Sequence, residues 1–107
     1  MNKKILFALG AAFLATSGLA RAEEFVVGQK NKAFTVKKLS VKAGDAVAFR
    51  NDDPFFHNIF SLTDVQPFDL GSYPQGQARK IVFNKAGKLD IECAIHPEMK
   101  MVVEVAK

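Results

Sequence analysis

The run Lys88-Leu89-Asp90-Ile91-Glu92-Cys93-Ala94-Ile95-His96-Pro97-Glu98-Met99-Lys100-Met101-Val102-Val103-Glu104-Val105 decides how this chain folds. On either side of a proline-bearing loop, apolar side chains recur at every second position: Leu89, Ile91 and Cys93 before it, Met101, Val103 and Val105 after it. Residues two apart share one side of a strand, so the pattern predicts two half-buried strands, Lys88 to Cys93 and Met101 to Val105, with apolar sides turned to a core. Cys93 therefore points inward from the very end of its strand, and its sulfur belongs at the rim of the core.

The rest of the chain reads the same way. Short runs rich in Val, Ile and Phe, punctuated by Gly, Asn, Asp and Pro, predict further strands at Glu24 to Gln29, Ala33 to Val36, Leu39 to Val41, Ala46 to Asn51, His57 to Leu62 and Arg79 to Asn84. Val47 and Phe49 face the core on this reading, as do Ile81 and Phe83, and Arg79 marks where its strand leaves it. Ala43-Gly44-Asp45 and Lys85-Ala86-Gly87 are turns that use glycine. The segment Thr63 to Gln77, with Pro67, Gly71, Pro74 and Gly76, is expected to be a long irregular crossing. No helix of useful length is predicted, and the fold class is an all-β sandwich.

The first residues belong to a different kind of segment. Asn2-Lys3-Lys4 precede 16 uncharged residues, Ile5 to Ala20, and Ala20-Arg21-Ala22 has the small-x-small form of a signal-peptidase site. The run is short of the roughly 20 residues that a spanning helix uses. We expect residues 1–22 to be a cleavable signal peptide and residues 23–107 to form one domain, exported, soluble and free of membrane insertion. Loss of Lys3, Lys4 and Arg21 leaves 12 of the 15 basic residues against 11 acidic ones, a net charge of about +1. Such a balance offers no clustered basic face, so no nucleic-acid partner is expected.

Exported proteins usually carry cysteines in disulfide pairs, yet Cys93 stands alone. Its neighbours give it a role. Only two histidines occur; His96 is three residues after Cys93, and His57 opens a strand after Asp52-Asp53-Pro54. Met99 lies three beyond His96, so Cys93-x-x-His96-x-x-Met99 sets a thiolate, an imidazole and a thioether on one tight loop. A trigonal His₂Cys set with a weak axial Met is the ligand set of a blue-copper electron-transfer centre. Soft sulfur suits Cu(I) and imidazole suits Cu(II), while a rigid β scaffold keeps the ligands nearly still as the electron moves. Structural zinc sites more often use several cysteines.

Three segments carry a family resemblance: Val41-Lys42-Ala43-Gly44-Asp45-Ala46-Val47-Ala48-Phe49-Arg50-Asn51, Phe56-His57-Asn58-Ile59, and Cys93-Ala94-Ile95-His96-Pro97-Glu98-Met99. In this order they resemble the marker segments of plastocyanin-like cupredoxins. The short Cys-x-x-His-Pro-x-Met loop is most similar to the amicyanin branch, and Phe68-Asp69-Leu70-Gly71 resembles a stretch of the small methylamine-utilisation-like group. The resemblance implies a Greek-key cupredoxin sandwich that holds one copper ion through His57, Cys93, His96 and Met99. Plastocyanin-like spacing would select Met101 instead as axial ligand, but Met101 shares a side with Val103 and Val105 and suits the core. The family also implies that the side chain of Asn58 ties the two ligand loops together. Glu92 departs from the pattern, standing where plastocyanins tend to have an aromatic residue, and Asp52-Asp53 is an unusual pair beside such a centre.

The expected function is that of an exported type 1 copper protein. It would shuttle single electrons between a donor and an acceptor redox protein in transient encounters, as a periplasmic monomer. The alternative is a periplasmic copper-storage or delivery protein, which needs a more open site. An enzyme is not expected, because no further histidines remain to build a second copper centre.

Overall fold

A computed structural model describes residues 21–107 of the chain. The leader expected over residues 1–22 lies outside the described residues except for Arg21 and Ala22. Among the described residues nine strands form two sheets: β1 (Glu24–Lys30), β2 (Ala33–Phe34), β3 (Lys38–Lys42), β4 (Ala46–Asn51), β5 (His57–Ser61), β6 (Phe68–Tyr73), β7 (Ala78–Val82), β8 (Gly87–Cys93) and β9 (Lys100–Ala106). The order is β2-β1-β4-β7 in one sheet and β3-β9-β8-β5-β6 in the other. The β1–β4 and β3–β9 pairs are parallel, and every other pair is antiparallel. There is no helix among the described residues. The all-β sandwich is as expected.

The core lies between the sheets and is made by the alternating positions. Val47, Phe49, Leu89, Ile91 and Val103 are fully buried, Cys93, Met101 and Val105 nearly so, and Ile59, Tyr73 and Phe83 complete the layer. Each such side chain removed from water contributes about 1.5–3 kcal/mol. Ile81 is only half-buried but packs against this cluster, and Arg79 is exposed, as its place at the strand's exit requires.

Two of the turns show how local chemistry closes the sandwich. In the β3–β4 turn Gly44 takes φ 101°, and the Asp45 carboxylate then accepts the N–H groups of Glu23 and Lys42, each at 2.8 Å. Those two hydrogen bonds hold its carboxyl below the usual carboxylate range. The β1–β2 hairpin is closed by Asn31 and Lys32 with φ 56° and 58°, a two-residue loop whose handedness matches the twist of the strands it joins.

The expectation for Thr63 to Gln77 is corrected. The segment contains β6, which pairs antiparallel with β5 and forms the edge of the larger sheet. Its pairing register shifts opposite Ile59, between the Asn58 and Phe60 partners, and Gly71 has φ 75°. An extra residue at a bulge reverses the alternation, so Phe68 and Leu70 pack inward and the next fully buried side chain is Tyr73 rather than residue 72. That phase change hides the strand from a period-two reading. Arg79 then joins the two sheets at this edge, donating to the Leu70 carbonyl at 2.7 Å with its guanidinium 5.2 Å from the Tyr73 ring centre.

Tyr73 is the only tyrosine, and there is no tryptophan. Burial pushes its hydroxyl up to about 12, against the Gln29 amide that donates to its oxygen at 2.9 Å and pulls the other way. An ultraviolet titration of the folded protein should therefore show no phenolate band near the ordinary value of about 10. Because the unfolded chain loses this proton first, the Tyr73 contribution to stability is complete below pH 10 and is lost as the pH rises towards 12. A phenolate step at pH 10 with the fold intact would contradict the buried placement.

Candidate metal centre

The ligand candidates come from three places in the sandwich and converge at one end of it. Cys93 is the last residue of β8, and its pairing with Ile59 sets it beside the start of β5, where His57 stands. The ladder continues one step past the strand, since the Ala94 N–H donates to the Asn58 carbonyl at 2.9 Å. The loop then folds back. Met99 N–H donates to the His96 carbonyl at 2.9 Å, closing a β-turn with Pro97 at its second position, where a fixed φ favours the bend. Met99 is brought in from solvent by this turn and is 1% exposed.

Three donor atoms meet there. Cys93 Sγ lies 3.6 Å from His57 Nδ1 and 3.8 Å from His96 Nδ1, and the two nitrogens are 3.2 Å apart. The point equidistant from such a triangle's corners is about 2.1 Å from each, within the range of about 2.0–2.3 Å over which a first-row ion such as zinc binds imidazole nitrogen and thiolate. Lone pairs crowded this closely repel unless a cation sits among them. One sulfur and two imidazoles are the donors that copper takes in both oxidation states, so the residues fit that ion. Among the described residues these three form the one cluster of such side chains able to hold a metal. His57 is fully buried and Cys93 is 2% exposed, while His96 is half-buried.

The two rings are held from outside. Phe55 packs against both, with its ring centre 5.4 Å from that of His57 and 5.2 Å from that of His96. Nε2 of His57 lies 2.9 Å from Asp53 Oδ2, which turns Nδ1 to the sulfur. Burial raises the Asp53 carboxyl, but the N–H groups of Lys32 and Asn31 together with the His57 ring hold it below the ordinary carboxylate range. Asp52, its neighbour, instead pairs with Arg50 at 2.9 Å on the surface.

Residues 22–106 match the copper-binding proteins of the plastocyanin/azurin family. The chain belongs to that family. As a member of it, the chain resembles methylamine utilization protein MauL of Methylorubrum extorquens, 31% identical over 99% of this chain and 94% of MauL. It resembles amicyanin of Paracoccus versutus, 31% identical over 78% of this chain and 67% of that protein. The crystal structure of that amicyanin superposes with a TM-score of 0.69 at 30% identity, covering 85% of this chain and 87% of amicyanin. A copper-containing nitrite reductase from Thermus scotoductus also superposes, with a TM-score of 0.70 at 30% identity over 77% of this chain. This chain spans only 22% of that reductase; it is a cupredoxin of the methylamine-utilisation type.

Two residues beside the ligands act otherwise than the sequence suggests. Asp53 reads in the sequence only as half of an unusual acidic pair, and the contact of its carboxylate with the His57 ring is set by the fold of the loop, not by a local pattern. Asn58 was assigned a side-chain tie between the ligand loops; its amide instead donates to Asp69 Oδ1 at 2.8 Å, and its backbone carbonyl makes the tie. Asn58 alternates with the buried His57 and Ile59 along β5, so its side chain faces the other side of the sheet.

Proposed function

We propose that residues 23–107 are a periplasmic, monomeric electron carrier released from the leader 1–22, with one type 1 copper held by His57, Cys93 and His96 and weakly by Met99. The observation that carries this reading is the triangle of Sγ and two Nδ1 atoms, formed by side chains 36 and 39 positions apart in sequence. The bound copper supplies a one-electron couple between Cu(I) and Cu(II). Cys93, His57 and Met99 lie in the core, where packing keeps their positions nearly constant, and a fixed ligand cage lowers the reorganisation that accompanies electron transfer. This enclosure favours a resident ion over one stored for delivery.

His96 is the half-buried member of the set, and exposed apolar residues stand close to the ligands in sequence. Phe56 is 53% and Ile95 46% exposed, with Pro54 and Pro97 also at the surface. A redox partner docked there would meet the His96 ring without water between, through a small contact suited to transient exchange. Donor and acceptor proteins would take turns at the same surface.

Titrating the purified protein with Cu(II) tests this function. One equivalent should produce an intense visible charge-transfer band that disappears on reduction and returns on oxidation. A protein that stays colourless, or one whose copper passes readily to a chelator, would defeat the carrier reading. Replacing Met99 by leucine should leave copper bound and raise the reduction potential, because a thioether withdrawn from the axial side favours Cu(I). If the potential stays unchanged in that variant and moves in Met101→Leu, the axial role passes to Met101.

A further inference from the structure

The carboxylate of Asp53 collects N–H groups from two distant parts of the chain. Its Oδ2 lies 2.9 Å from His57 Nε2 and accepts the Lys32 N–H at 3.0 Å, while Oδ1 accepts the Asn31 N–H at 2.7 Å. The residue is 2% exposed and is itself fixed from below. Its own N–H donates to Asn51 Oδ1 at 2.8 Å, and the Asn51 amide donates to the carbonyls of Phe55 and Tyr73.

The donors at the far end are unusual. Asn31 and Lys32 are the only non-glycine residues with positive φ among the described residues, and they are consecutive. Glycine is the cheap choice for such a tip, and Lys32 bears the steric cost of a Cβ in the left-handed region. Backbone held in that region by its surroundings concentrates at functional sites. Here both strained residues aim their N–H groups at one anion.

An ionised carboxylate only accepts hydrogen bonds, so the ring nitrogen facing it must carry the hydrogen. In neutral His57 this leaves Nδ1 with its lone pair, and Nδ1 is the atom beside Cys93 and His96. We infer that the Asn31–Lys32 turn positions the metal centre: it aims the Asp53 carboxylate, and Asp53 fixes the tautomer and orientation of His57. The inference rests on the copper reading above and extends it to a hairpin tip that contributes no ligand. The negative charge behind His57 also strengthens the ring as a donor and favours the more highly charged Cu(II).

Nitrogen NMR of the metal-free protein at neutral pH reads the first link directly. His57 should show the Nε2–H tautomer alone in the native protein and a mixture in Asp53→Ala. In copper-loaded protein, Asp53→Ala should weaken Cu(II) binding by about 10- to 100-fold. Where Cu(II) loses tenfold more affinity than Cu(I), the potential rises by about 59 mV. Lys32→Pro, which removes the N–H and cannot adopt the native φ, should move the potential in the same direction. In an Asp53→Ala background it should add nothing, as expected when one residue acts through the other. Lys32→Gly keeps the N–H and, like the proline variant, lacks the ammonium that lies 5.8 Å from the Phe55 ring centre, so it is the reference against which the proline shift is read.

An unaltered tautomer in Asp53→Ala overturns the inference, as does a Lys32→Pro shift that persists in full without Asp53. Should Asp53→Ala fail to fold, the near-isosteric Asp53→Asn, whose amide oxygen can still accept the Nε2–H, should raise the potential through loss of the charge alone, and an unchanged potential in it overturns the inference. If native protein binds no copper, the metal reading fails, and the tautomer measurement still decides whether Asp53 governs His57.

Discussion

Cys93→Ser should eliminate the visible charge-transfer band expected of the copper-loaded protein. The band requires a filled sulfur orbital in contact with Cu(II), and Cys93 is the sole cysteine, so no other thiolate is available to replace it. Serine at this place offers a hard oxygen that stays protonated at neutral pH. The two Nδ1 atoms remain 3.2 Å apart and continue to offer an ion two nitrogens, so Cu(II) binding weakens without vanishing. The sulfur is nearly fully buried, and a hydroxyl placed there costs stability by about 1–3 kcal/mol if it finds no partner. That is less than the whole stability of a domain of this size. Comparing the visible spectra of native and variant protein at one equivalent of Cu(II), with a folded variant verified by circular dichroism, is the measurement. A variant that remains blue would remove the thiolate from the centre and the electron-carrier function with it.

How much of this was legible beforehand follows from the range of the physics involved. The strand that ends at Cys93 and the strand that starts after Met99 were visible because alternation is a local property, set by which side each residue faces. The loop between them was visible because its ligand spacing is local too. His57 was placed in the set by chemical type, and the pairing that carries it to the sulfur, Ile59 with Cys93, is a long-range contact that alternation does not specify. The same limit hid β6, where a bulge at Gly71 breaks the period, and it hid the parallel partnerships of β1 with β4 and of β3 with β9. Asp53 shows the limit most sharply. Beside Asp52 it reads as part of an acidic surface pair, yet one of the two is on the surface with Arg50 and the other is buried beneath a hairpin tip. Only the fold tells the two apart.

Phe49→Ala should destabilise the metal-free protein by about 3–5 kcal/mol, as truncation of a buried phenylalanine does. Phe49 stands on β4 in the interior of its sheet, is completely buried, and meets Phe34 edge-to-face with ring centres 6.2 Å apart. Its removal leaves a cavity between the two sheets that the surrounding side chains fill only in part. For a domain of this size a loss of that order lowers the melting temperature by on the order of 20 °C. The metal-free protein is the one to measure, because copper binds the folded form and masks part of the loss by mass action. The same strand ends at Asn51, whose amide holds the loop leading to His57, so the experiment also asks whether core packing and ligand geometry are separable. They should be. Asn51 and Asp53 hold the ligand loop through hydrogen bonds that Phe49 does not touch, and at low temperature the copper-loaded variant should keep the native absorption maximum. A melting temperature within a few degrees of native would mean that the sandwich does not depend on β4 for its core, and the placement of Phe49 would then have to be abandoned.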